Sequence, residues 1–144
     1  MPEPTSARSS ESLIAQSIEV SLTVTDARRS ANWYRDALGF SVDREFERDG
    51  KLRAVSIRAG SVRILLSQDD GSKGANRIKG EGFSIQVTTS QPIDDIAVRA
   101  KKAGAVLDTE PTDAFGARVF RLRDPDGFRL VVSSPRITDG PGNR

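Results

Sequence analysis

Glu19 is the residue of this chain best placed to do chemistry. It heads the polar face of a strand-like stretch in which Ile18, Val20, Leu22 and Val24 alternate with Glu19, Ser21, Thr23 and Thr25. A carboxylate there has three uses. It can recognise a ligand, it can act as a general base that burial would activate, or it can sit in an ion pair with an arginine such as Arg63 or Arg129. Proton transfer of the epimerase or isomerase kind would need a second acid, which would be Tyr34, a lysine or another carboxylate, and the sequence places none of these beside Glu19. Much other chemistry is excluded outright. With no cysteine and no histidine among 144 residues, the chain has no disulfide, no thiol nucleophile, no imidazole acid or base and no Ser–His–Asp triad. Zinc–thiolate sites and every histidine-containing metal site go with them.

The elements that must hold Glu19 in place follow directly. Asp26 is set to cap a helix whose apolar side is Ala27, Ala31, Tyr34 and Leu38. Gly39 suits a left-handed stop, and Phe40 is placed to fold back on the last turn. Strand-like runs follow at 41–46, 51–59 and 61–67, the first two joined by an Asp49-Gly50 hairpin signal. Residues 68–82 hold four glycines and alternating charges, including Lys73, Arg77 and Lys79, and read either as an exposed connection or as a cationic lid. The pattern then restarts. Phe83, Ile85 and Val87 alternate with Ser84, Gln86 and Thr88, and a helix with the stripe Ile93, Ile96, Ala97 and Ala100 ends near Gly104. Three more strand-like runs close the unit, the last two joined by Asp124-Pro125-Asp126-Gly127.

The organisation expected is therefore a disordered tail over 1–16 and one domain over 17–134, followed by a flexible tail over 135–144. Within the domain a βαβββ module spans 17–67, a connecting loop 68–81 and a second βαβββ module 82–134. Helices on one face of each sheet leave the other face free, and two such sheets edge to edge could enclose a cleft. Net charge is only +2 with both signs interspersed, which argues against a nucleic-acid partner. No apolar run approaches the roughly 18 residues that would cross a bilayer, and residues 1–12 lack the pattern of a secretory signal. The expectation is a cytoplasmic protein with no membrane partner.

Element order and two motifs together resemble the vicinal oxygen chelate superfamily, which holds glyoxalase I, bleomycin-resistance proteins and extradiol dioxygenases. The motifs are Leu22-Thr23-Val24-Thr25-Asp26 with Ser30 and Trp33 to Phe40, and Arg123-Asp124-Pro125-Asp126-Gly127-Phe128. The resemblance covers roughly 18–134. It implies an α+β fold of two βαβββ modules forming cupped mixed sheets with helices outside, and a homodimer. It also implies a divalent metal held from the first, fourth, fifth and eighth strands. The matching positions here are Glu19, either Arg63 or Leu65, Gly82 and Val131. One of the four carries a metal-competent side chain, so the expectation is no metal and no cofactor. The surface that the resemblance assigns to ligands would carry Glu19, Ser21, Thr23, Arg63, Ser84, Gln86 and Arg129, with Val131 among them and Phe115 on the rim.

Hydroxyls, an amide and guanidinium groups suit recognition of a polar small molecule better than bond-making. The function expected is metal-independent binding or sequestration of a small organic molecule, as in bleomycin-resistance proteins. Bleomycin itself is cationic, and a chain with excess positive charge fits an anionic or neutral ligand better. Two alternatives stand beside this reading. One is a glyoxalase-like lyase or isomerase, or another small-molecule enzyme with Glu19 as its base; the other is a non-catalytic interaction module.

Overall fold

The computed structural model describes residues 12–136; the stretches 1–11 and 137–144, where most of the two expected tails fall, lie outside the described residues. The elements run β1 (Val20–Val24), α1 (Ala27–Leu38), β2 (Ser41–Arg48), β3 (Lys51–Ala59), β4 (Val62–Gln68), β5 (Ile85–Thr88), α2 (Ile93–Lys102), β6 (Leu107–Ala114), β7 (Ala117–Arg123) and β8 (Arg129–Ser133). They form two four-stranded mixed sheets in the orders β1-β4-β3-β2 and β5-β8-β7-β6. In each, the first strand of the repeat pairs parallel with the last, and the other ladders are antiparallel. The architecture is α+β, as the repeated strand–helix–three-strand pattern implies. Among the described residues no helix is long and apolar enough to cross a membrane.

Helix α1 begins where Asp26 accepts a hydrogen bond from the Arg29 amide at 3.1 Å. It ends at Gly39, whose φ of 80° lets the Gly39 and Phe40 amides reach back to the Arg35 and Tyr34 carbonyls. The Phe40 ring meets Tyr34 edge-on at 5.5 Å. The buried stripe is Ala27, Ser30, Ala31, Tyr34 and Ala37, whereas Leu38 is only half-buried. The neighbouring helix also contributes to this terminus. Arg99 of α2 donates to the Arg35 and Asp36 carbonyls at 3.2 and 3.4 Å, setting a cation at the negative end of the α1 dipole. A side chain at Gly39 would meet that guanidinium.

One continuous core joins both repeats. It includes Leu22, Val24, Val55, Ile57, Ile64 and Leu66 from the first sheet, and Phe120, Leu122, Leu130 and Val132 from the second. The helices contact each other, while each ladder stays within its own sheet. The two sheets therefore do not merge edge to edge through a shared ladder.

The 68–82 connection is exposed over 70–78 but anchored at both ends. At its start, the Gln68 side chain donates to the Thr25 carbonyl at 2.7 Å and accepts from the Ala27 amide at 2.9 Å. At its far end, Gly80 has a φ of 78° and packs on the β7–β8 turn, where an added Cβ would stand 2.7 Å from the Gly127 carbonyl oxygen. Gly80→Ala combines a left-handed backbone with a clash against main chain. It is expected to cost about 2 kcal/mol, read as a lower urea midpoint at unchanged slope. An unchanged midpoint would mean that the segment swings clear of the turn at no cost.

Candidate functional site

The alternation along each strand separates a helix-covered face from a free one. In the first sheet Leu22, Val24, Ile64 and Leu66 are buried toward α1, which places Ser21, Thr23, Arg63, Leu65 and Ser67 on the free face. Ser21 stands opposite Leu65, so the fourth-strand register left open by the sequence resolves with both Arg63 and Leu65 on that face. The Ser21 and Ser67 hydroxyls approach to 3.5 Å. In the second sheet Ile85, Leu130 and Leu122 point inward, leaving Ser84, Gln86, Arg121, Arg123, Arg129 and Val131 outward.

Several expectations change on this frame. Glu19 lies just before β1 and is exposed, so the burial that would activate it as a base is missing. The carboxylate nearest Arg63 is Asp43, at 3.9 Å, rather than Glu19. Tyr34 is no candidate acid for the free face, because its hydroxyl is buried on the helix side and donates to Asp124 at 2.8 Å. Burial, reinforced by the Asp124 charge, holds that phenol well above the ordinary tyrosine range. Phe83 does not join the core. It precedes β5, is 43% exposed and tilts against Phe128 at 5.8 Å. The register also makes Ser84 the counterpart of Glu19: Val20 pairs with Ile64, which follows Arg63, and Ile85 pairs with Leu130, which follows Arg129. Gly82 falls outside the ladder.

The expected ligand-binding residues do not converge on one point of the chain. Ser21 and Thr23 line a cleft of about 290 Å³ with Phe83, Phe128 and the 77–81 segment. Ser84 and Arg129 line another of about 330 Å³ with Asp108, Arg121, Arg123 and Val131. Gln86 is exposed between strand ends, and Phe115 sits at the tip of the β6–β7 hairpin, 85% exposed, with a φ of 51°. A further cleft, of about 470 Å³, lies at the seam of the two repeats around Leu38, Phe40, Ile96 and Arg99. Its cation is already engaged with the end of α1.

Two sets of polar residues went unread in the sequence. The first is a clasp at the end of β1. Lys79 lies 3.1 Å from Asp69 and 3.4 Å from Asp126, with its side chain 9% exposed. It also donates to the Thr25 hydroxyl, while Asp126 accepts from the Thr25 amide and hydroxyl. The Gly71 amide and Lys79 together hold the Asp69 carboxyl below its ordinary range. Arg77 is also turned to Asp69, at 4.0 Å, so the two cations of this segment that line the cleft with Ser21 and Thr23 both stand near carboxylates. The second set is Arg121 and Arg123. Their alternation with buried Phe120 and Leu122 was the available signal, since it puts them on the same face as Arg129.

The chain belongs to the Glyoxalase/Bleomycin resistance protein/Dioxygenase superfamily, whose family model matches residues 16–132. It is 27% identical over 116 residues to "Virulence protein STM3117" of Salmonella typhimurium, 78% of each chain being covered. The crystal structure of that protein superposes with a TM-score of 0.66, covering 88% of this chain and 100% of the other at 23% identity. TnmS3, described as an antibiotic binding protein from Streptomyces sp. CB03234, shares the fold with a TM-score of 0.68 at 16% identity, over 86% of this chain and 98% of that one. A superfamily member from Sphaerobacter thermophilus gives 0.67 at 21% identity, over 85% and 98%.

Family metal chemistry finds little to attach to here. Leu65 and Val131 have apolar side chains, Arg63 offers a cation, and Ser84, which the register puts in the place expected of Gly82, offers a hydroxyl. Among the described residues no three His, Cys, Asp or Glu side chains gather in a group that could hold a metal ion. Glu19 is the one carboxylate among the positions the resemblance assigns to a metal.

Proposed function

We propose that the protein binds or sequesters a small polar organic molecule on the helix-free faces of its sheets, without a metal and without turnover. The observation that carries this reading is the dress of those faces. Ser21, Thr23, Ser67, Ser84 and Gln86 can donate and accept hydrogen bonds, Arg129 can donate them, and no buried carboxylate stands among them to do acid–base work. Family membership and the fold shared with an antibiotic-binding protein support it. The competing use of Glu19 as a base is weakened by its exposure.

The protein acts as a cytoplasmic homodimer in this reading. The two groups of ligand-facing residues lie in separate clefts, and the edge strand β2 exposes all eight of its residues, Val42 and Phe46 included. A second copy over the free faces would bury that apolar surface and close the clefts.

The test is a thermal-shift screen of metabolites and antibiotics, run with and without added divalent metals. The expected result is stabilisation by at least one organic compound, undiminished by chelator. Stabilisation by metal alone, or turnover of a bound compound that Glu19→Gln abolishes, would replace this reading with the enzymatic one.

A further inference from the structure

The repeat carries the same charged pattern twice. Next to the β3–β4 turn Arg58 stands directly opposite Arg63, and next to the β7–β8 turn Arg123 stands directly opposite Arg129. Like charges facing across a ladder are unfavourable unless something between them is negative. In each repeat an aspartate sits in the irregularity of the neighbouring strand. Asp43 lies between the paired residues Val42 and Arg44, 3.9 Å from Arg63, and Asp108 lies between Leu107 and Thr109, 3.0 Å from Arg123.

There the likeness stops. The first sheet has Glu19 at the head of its parallel ladder, so Arg58 and Arg63 stand with two carboxylates, Asp43 and Glu19, and Arg44 lies one pair further along. The second has Ser84 in the same place and a third guanidinium, Arg121, opposite Val131. Asp108 answers one of the three arginines; among the described residues Arg121 and Arg129 have no carboxylate within ion-pair distance. Both line the cleft of about 330 Å³. Thr109, the register partner of Arg121, holds a buried hydroxyl with no hydrogen-bond partner, the one such side-chain atom among the described residues.

We infer that the helix-free face of the second sheet binds a small oxyanion carrying two negative charges, a phosphate monoester or a dicarboxylate, between Arg121 and Arg129. This deepens, and rests on, the ligand-binding reading of that face. Guanidinium groups recognise planar carboxylate and tetrahedral phosphate oxygens through paired N–H donors. Two uncompensated cations set the ligand's charge, Ser84 adds a hydroxyl, and Val131 gives the cleft an apolar floor against which a short carbon chain can lie.

The experiment is calorimetric titration of the full chain with inorganic phosphate and with malonate, against sodium chloride at matched ionic strength. Saturable binding of at least one dianion is expected, with the stronger of the two identifying the ligand's source. Arg121→Gln and Arg129→Gln should each weaken it roughly tenfold, and Arg53→Gln on the other sheet should leave it unchanged. The inference is overturned if chloride reproduces the heat, or if both cleft variants bind like the parent. If a neutral organic compound binds this face equally well in Arg121→Gln while neither dianion binds, the charge assignment falls and the ligand-binding reading stands. If no probe of any charge binds there, both fall.

Discussion

Asp124→Ala is expected to lower the thermal midpoint by roughly 10 °C, an effect of about 3–4 kcal/mol. The carboxylate is 5% exposed and serves three donors: the Tyr34 hydroxyl at 2.8 Å and the Asp126 and Phe128 amides, each at 2.9 Å. Alanine would leave a buried phenol and two turn amides without an acceptor, and each unmet buried donor costs about 1–3 kcal/mol. Tyr34→Phe removes one of these bonds and is expected to cost about a third as much.

A pH dependence accompanies this site. Burial raises the Asp124 pKa above the ordinary aspartate value, aided by the Asp126 charge and opposed by the hydrogen bonds it accepts. The native state therefore retains this proton over a range in which the unfolded chain has released it. The group's contribution to stability falls as pH rises from about 4 to the raised value. Asp124→Asn, which cannot ionise, should lack that slope. Urea titrations of parent and variant across that range check the sign.

Lys79→Met is expected to cost about 3 kcal/mol. The methionine fills much of the same volume but leaves the Asp126 carboxylate, 7% exposed, without its cation and the Asp69 carboxylate, 13% exposed, with only Arg77 at 4.0 Å. A second change, Asp69→Asn, should restore a large part of the loss by removing one of the two negative charges. Because the ammonium is nearly enclosed, the loss should change little with added salt, unlike that of an exposed pair. A variant as stable as the parent would mean that the 68–82 segment is not clasped to β1 and the β7–β8 turn.

The fold was largely legible because its signals are local. The Asp26 cap, the Gly39 stop, the Asp49-Gly50 turn with φ values of 55° and 74°, and the period-two strands each act within a few residues. Their order, repeated, carried the architecture and the resemblance. The site was legible only as a set of faces. Period two told which residues share a face. It could not tell that Ser21 and Thr23 gather with the 77–81 segment while Ser84 and Arg129 gather with Arg121 and Asp108.

Long-range polar pairing was the least readable. Nothing local marks Lys79 for Asp126, 47 positions away, or Tyr34 for Asp124, 90 positions away. Both contacts form where the β7–β8 turn docks on the first repeat. Glu19 could be placed no further from the sequence, which left ligand recognition, general-base work and a solvated or ion-paired carboxylate all open. In the structure it precedes β1 by one residue and is exposed.

The most direct test of the central claim is amide shift mapping by NMR with a compound from the thermal-shift screen, with and without chelator. Perturbations are expected to centre on Ser21, Thr23, Ser84, Gln86 and Arg129 and to be unaltered by the chelator. Perturbations centred on Leu38, Ile96 and Arg99 at the seam of the repeats, or lost when metal is removed, would contradict the claim.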